Sequence, residues 1–299
     1  MAEIAVERPS VWSALFRALR PRQWVKNGVL LAGILFTLDQ PHGLADWLRV
    51  LAAVLVFCAL ASSIYLVNDL YDREQDQLHP TKRLRPLASG QITPGLARIA
   101  AVVLVVAGMA GAVLLGPGFS LCAAAYLALT VAYSVRLKHV VLVDVLALAG
   151  CYVIRAVAGA AVISVEISPW LLVCTTLGAL LIGLSKRRNE LATLEDAGSH
   201  RRALEEYSVP MLDQMIGVVT GSTLVAYMLY TISSETAKAH PGMMLTIPFV
   251  IYGVLRFFYL VHRHGKGGDP SREFVEDRNL LVCGILWAIT CAGVMLAGR

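Results

Sequence analysis

Three features of this chain predict an all-α bundle of membrane-spanning helices. Apolar runs recur at 24–38, 47–67, 97–115, 118–134, 141–163, 169–185, 211–231, 243–261 and 279–297, and a helix needs about 20 such residues to cross a hydrocarbon core. The chain as a whole is 57% hydrophobic and only 16% charged, with a mean hydropathy of +0.65, too apolar for an ordinary soluble domain. The polar segments between the runs also alternate in character, one set basic and the other nearly free of Lys and Arg.

Long unbroken runs favour helices over a barrel, whose strands would be about ten residues of alternating polarity. The expected architecture is a nine-helix bundle over 21–299, preceded by a polar, basic segment at 1–20. The first run is short and opens as an interfacial stretch, "LFRALRPRQWVKNGVLL", in which basic residues mix with aromatic ones. Residues 1–20 lack a short apolar region with small-residue cleavage chemistry, so the first span is expected to serve as the targeting signal.

Charge sets the expected orientation. The segments 1–23, 68–96, 135–140, 186–210 and 262–278 hold nearly all Lys and Arg, whereas the alternate connections offer Arg49, Lys238 and Arg299. By the positive-inside rule the basic set, including the amino terminus, faces the cytoplasm, and nine crossings leave the carboxy terminus outside. The net charge of +5 then reflects topology and anionic inner-leaflet lipid, and no nucleic-acid partner is expected. The expected location is the plasma (inner) membrane, multi-pass, with any active site on the cytoplasmic face, where the long, charge-rich loops lie. A carrier that alternates access would place polar groups or broken helices near the midplane, and few are evident. All six cysteines fall within the apolar runs without paired spacing and read as small core residues. His262 and His264 diverge on a helix and are unsuited to a shared metal.

The chemistry is concentrated in "YLVNDLYDREQDQLHPTKRLRP". If the second helix continues through it, Asn68, Asp69, Asp72 and Asp76 lie along one face over two turns. Carboxylates so arranged repel one another and oppose the helix dipole; the natural relief is a hard divalent cation, and Mg²⁺ combines one or two protein carboxylates with substrate phosphates. Lys82, Arg83 and Arg85 follow at once. An acidic metal face beside fixed cations suits a diphosphate.

Further inward clusters add to it. "YSVRLKHVVLVDVLALAGCYVIR" carries Tyr133, Lys138, Asp144 and Arg155. Asp144 is expected near the cytoplasmic end as a second metal or hydroxyl ligand; Arg155, three turns deeper, lies about 16 Å along the axis and is open to a substrate or an interhelical role. "LSKRRNELATLE" places Lys186, Arg187 and Arg188 at the end of the sixth run for anion capture, and "PRQWVKN" adds Gln23, Lys26 and Asn27. Asp269, Asp277 and Arg278 in "GGDPSREFVEDRNL" read as a cap for the last helix.

"NDLYDREQD" on the second helix, followed by "KRLRP", resembles the first aspartate-rich motif of the UbiA-type intramembrane transferases, and the similarity runs from "RPRQWVKN" through "SKRRNEL" to "EDRNLL". Within that family the chain looks most like the members that move a phosphoribosyl group onto a polyprenyl phosphate at the opening of cell-wall arabinan precursor synthesis. The resemblance implies phosphoribosyl pyrophosphate as donor and a polyprenyl phosphate as acceptor, with Mg²⁺ on Asn68, Asp69, Asp72 and Asp76 and with Lys82 and Arg83 neutralising the departing diphosphate. Gln23, Lys26, Arg85, Tyr133, Lys138, Asp144, Arg155, Lys186, Arg187 and Arg188 are then the substrate-binding candidates. Members that prenylate aromatic acceptors carry a second aspartate-rich motif; the corresponding region here has Tyr133, Lys138 and a single Asp144. The competing expectation is prenyl transfer from a prenyl diphosphate to an aromatic or other small acceptor. A homo-oligomer is compatible with either.

Overall fold

The computed structural model describes residues 10–193, 202–263, 268, 273 and 276–297. All regular structure among them is helical. A short helix α1 (Val11–Ala18) leads into a 3-10 segment (Pro21–Leu31) and a single turn α2 (Ala32–Leu35). Then come α3 (Leu44–Tyr71), α4 (Arg73–Leu78), α5 (Pro94–Leu115), α6 (Pro117–Val135), α7 (Val143–Val162), α8 (Pro169–Thr193), α9 (Arg202–Glu205), α10 (Val209–Ser233), α11 (Glu235–Ala239), α12 (Ile247–Arg263) and α13 (Arg278–Ala297).

Among the described residues, eight helices are long and apolar enough to cross a membrane, against the nine expected. The difference lies in the first run, which is not a spanning α-helix but the 3-10 segment plus α2. A 3-10 helix rises about 2.0 Å per residue against 1.5 Å in an α-helix, so these few residues still reach about 28 Å, close to the hydrocarbon thickness.

Local sequence sets the helix ends. The Asp46 carboxylate accepts the Gly43 N–H at the start of α3, and Thr93 Oγ1 accepts the Leu96 N–H ahead of Pro94 at the start of α5. Gly116, at φ 118, makes the turn between α5 and α6 that an L side chain would resist.

Helices α3 and α7 form the middle of the bundle: just over half of each apolar window is buried (56%), against 17% for α5, α6 and α12, whose faces are left to lipid. Phe57 and Ala53 of α3, Phe119 and Tyr126 of α6, and Ala158 and Val162 of α7 share one core with Leu30 and Ile34 of the amino-terminal segment. That segment lies backbone to backbone on α7. A Cβ on Gly159 would stand 2.1 Å from the Leu30 carbonyl oxygen, and one on Gly33 2.9 Å from the Ala160 nitrogen. No side chain fits there. Gly159→Ala must therefore push the 3-10 segment off α7, at a cost of about 1–3 kcal/mol. The expected result is a lower thermal unfolding midpoint in detergent, while Gly217→Ala, with open space around its Cβ, leaves the midpoint unchanged or higher.

Candidate active site

The expected acidic face is present but is not one continuous helix. Helix α3 ends at Tyr71, the chain bends at Asp72 (φ −87, ψ 7), and α4 resumes at Arg73. The break leaves Asp69 and Asp76 together. Both are buried, and Arg85 Nη1 stands 3.1 Å from Asp69 Oδ1 and 2.6 Å from Asp76 Oδ2. Asp69 also pairs with Arg20. Asp72 and Asn68 are half-buried, and neither side chain hydrogen-bonds or ion-pairs among the described residues.

Arg85 is brought to the acids by the loop after α4. The chain turns through a short 3-10 helix, Lys82–Leu84, after which Leu87 and Ile92 insert among Ala14 and Ala18 of α1, Leu66 of α3, and Ala97 and Ala101 of α5. Burial of those two aliphatic side chains fixes where the loop returns. Lys82 and Arg83 stay exposed and unpaired among the described residues.

One nitrogen bridging two carboxylates marks a position where both acids point at a positive charge. This is the donor set a magnesium ion accepts, with metal–oxygen distances of about 2.0–2.1 Å and the rest of its shell filled by water and substrate phosphate. Among the described residues no group of three or more His, Cys, Asp or Glu is arranged to hold a metal unaided. Asp69 and Asp76 thus fit a metal that arrives with an anionic substrate better than a protein-only metal cage.

The second cluster is built differently. Asp144, in the first turn of α7, and Arg187 of α8 pair directly, and neither side chain is exposed at all. Tyr207 Oη donates to Asp144 Oδ1 (2.9 Å) and accepts the N–H of Leu142 (2.7 Å), a residue held at φ 65. Arg187 also donates to Tyr133 Oη (2.7 Å) and pairs with Glu190. Burial, with Asp144 beside it, pushes the Tyr207 hydroxyl up to about 12, so Tyr207 remains a donor throughout the physiological range.

Lys186, Arg187 and Arg188 therefore do not converge. At 100° per residue they fan out: Arg187 turns inward onto Asp144, Arg188 on one side of it pairs with Asp213, which also meets His262 Nε2 at 3.1 Å, and Lys186 on the other side is half-buried. Asp144 is committed to Arg187 and Tyr207 rather than standing open as a ligand. Tyr133, near the carboxy-terminal end of α6, and Lys138, in the connection to α7, are half-buried.

Arg155 is a third node, wholly within the bundle. Its Nε donates to Asn27 Oδ1 (2.8 Å), its Nη2 to Tyr126 Oη (2.9 Å) and its Nη1 to the Cys151 carbonyl (2.9 Å). No carboxylate among the described residues pairs with it. Arg155 and Asp144, expected on one face of α7, serve separate networks. Gln23 and Lys26 are half-buried on the 3-10 segment that Arg155 secures through Asn27. Just before α13 Asp277 accepts the Leu280 N–H and pairs with Arg256, the cap expected for that helix; Asp269 lies outside the described residues.

Sequence reasoning missed Arg20, Tyr126 and Tyr207. For Arg20 a signal existed: it precedes Pro21 between two helical stretches, where the α-region is disfavoured. For the two tyrosines there was none, since their partners lie 29 and 63 residues away.

Removing Arg187 leaves the wholly buried Asp144 with the neutral Tyr207 hydroxyl alone, and stranding a buried charge typically costs about 3–5 kcal/mol. Arg187→Met should lower the thermal midpoint markedly, and Arg187→Met with Asp144→Leu should regain most of the loss; Arg187→Met without thermal penalty contradicts the pairing.

The UbiA prenyltransferase family model matches residues 29–276. Decaprenyl-phosphate phosphoribosyltransferase of Mycobacterium tuberculosis is 34% identical over 306 residues, covering all of both chains. The enzyme of the same name from Mycolicibacterium smegmatis is 33% identical over 92% of this chain and 90% of its own. Among solved structures, a UbiA homolog from Archaeoglobus fulgidus bound to GPP and Mg²⁺ superposes with a TM-score of 0.71 over 95% of this chain and 99% of that one, at 19% identity. Motif, full-length relatives and helical architecture agree: this chain is a transferase that belongs to the UbiA prenyltransferase family.

Proposed function

We propose that the chain catalyses Mg²⁺-dependent transfer of the 5-phosphoribosyl group from phosphoribosyl pyrophosphate to a polyprenyl (decaprenyl) phosphate, releasing pyrophosphate, at the cytoplasmic face of the plasma membrane and in cell-wall arabinan precursor synthesis. The observation that carries this reading is the Asp69–Asp76 cradle around a single cationic nitrogen, in a chain whose full-length relatives bear the name of that reaction.

Asp69 and Asp76, with Asp72 and Asn68 at the break between α3 and α4, hold the metal-bearing end of the donor. Bound there, Mg²⁺ supplies positive charge to a diphosphate as it leaves C1 of the ribose. Lys82 and Arg83, exposed and unpaired on the loop after α4, neutralise the remaining charge on the leaving group, the main electrostatic task of such a transfer. The acceptor phosphate is already anionic, so the site needs no strong general base. Lys26 and Gln23 on the 3-10 segment, Tyr133 and Lys138 at the inner ends of α6 and α7, and Lys186 and Arg188 on α8 are the groups proposed to seat the ribose 5-phosphate and the lipid phosphate. Arg155 and Arg187 act one step removed, by fixing the helices that carry these groups.

Membranes containing the protein are incubated with labelled phosphoribosyl pyrophosphate or with labelled prenyl diphosphate, with and without chelator. The expected result is chelator-sensitive label in lipid from the first donor. Label from the prenyl diphosphate alone would establish the prenyl-transfer alternative.

Because the Asp72 side chain makes no hydrogen bond or ion pair among the described residues, Asp72→Ala should change stability by no more than about 0.5 kcal/mol. Turnover should nonetheless fall on the order of 100-fold or more. Full activity at saturating Mg²⁺ would remove Asp72 from the site.

A further inference from the structure

Arg20 stands outside the aspartate-rich motif, yet it is built into the same charge cluster. It forms the junction between α1 and the 3-10 segment, in a left-handed conformation (φ 55, ψ 59) that few non-glycine residues adopt. The junction is clamped to α3 on both sides. Ser62 Oγ donates to the Leu19 carbonyl (2.9 Å) and accepts the Trp24 indole N–H (3.0 Å). From this fixed reversal the Arg20 side chain lies over the Tyr65 ring, 4.9 Å from its centroid, and its guanidinium reaches Asp69, one turn further along α3.

Arg20 and Arg85 thus meet the same oxygen, Asp69 Oδ1, from opposite flanks of the motif. A metal that takes this oxygen must displace both, and one that takes the other oxygen of the carboxylate still meets the charge of both. Backbone strain of this kind persists only where the surroundings over-determine it, and it gathers at functional sites.

We infer that Arg20 is a positioning residue that holds the Asp69 carboxylate aimed before the donor arrives, and so competes with the divalent cation for it. This inference rests on the metal-bearing reading of the Asp69–Asp76 cradle. Its consequence has a definite sign. Removing the Arg20 charge should tighten divalent-cation binding, because one competitor and one repelling charge disappear together; a merely structural role would weaken binding or leave it unchanged.

The test is direct Mn²⁺ binding to the full chain in lipid nanodiscs without substrate, read from the free-ion electron paramagnetic resonance signal. Arg20→Gln should bind Mn²⁺ roughly five- to tenfold more tightly than the unmodified protein, the effect of one nearby charge at partial screening. Arg20→Lys, which keeps the charge, should return most of the way to the original affinity. Arg22→Gln, an exposed charge two residues away, should shift affinity by less than twofold. An unmodified protein too weak to saturate beside an Arg20→Gln variant that does saturate also supports the inference. Equal or weaker binding by Arg20→Gln overturns it. Asp69→Asn and Asp76→Asn separate the two levels: if they abolish Mn²⁺ binding while Arg20→Gln changes nothing, the role of Arg20 alone fails, and if Mn²⁺ binding survives them, the cradle and the inference fall together.

Discussion

A carboxylate buried at the rim of a bilayer is stable only where positive charge meets it, and this constraint organises one end of the bundle. Leaving water costs an ionised group several kcal/mol even after relaxation. Asp69, Asp76 and Asp144 all satisfy the constraint with arginine: Arg20 and Arg85 meet Asp69, Arg85 also meets Asp76 from the loop just beyond it, and Arg187 meets Asp144. The loop after α4, the junction before the 3-10 segment and the carboxy-terminal part of α8 are therefore held where the acids require them.

The acid pairs differ in a way that matters for chemistry. Around Asp69 and Asp76 the cationic partners keep about 30% of their side-chain surface in solvent, so they can exchange the acids for an incoming cation. Arg187 and Asp144 have no exposed side-chain surface and gain further hydrogen bonds from Tyr133 and Tyr207. One cluster is suited to turnover and the other to permanence. Arg155 belongs with the second kind: it ties α6, α7 and the 3-10 segment together through Tyr126, Cys151 and Asn27, and so holds Lys26 and Gln23 at a defined height.

Much of this was legible in the sequence because membrane solvation is a strong and local rule. Eight of the expected crossings follow from length and apolarity alone. The ninth does not, because the extended 3-10 form of Pro21–Leu31 depends on backbone contact with Gly159, far along the chain. The spacing of the aspartate-rich stretch put Asn68, Asp69, Asp72 and Asp76 on one helix face, yet the bend at Asp72, which brings Asp69 and Asp76 together, was invisible. In the same way the run Lys186–Arg187–Arg188 read as three equivalent cations, whereas tertiary packing committed the middle one to a buried pair. Local pattern reports which residues share a helix; it does not report what packs against that helix.

The central claim is that Asp69 and Asp76 exchange Arg85 for a metal-bearing diphosphate. Electron cryomicroscopy of the protein in nanodiscs with Mg²⁺ and phosphoribosyl pyrophosphate addresses it most directly. The account predicts metal density between the two carboxylates, diphosphate oxygens completing its shell, and Arg85 moved off the acids. Diphosphate bound elsewhere, with Arg85 still bridging Asp69 and Asp76, would contradict it.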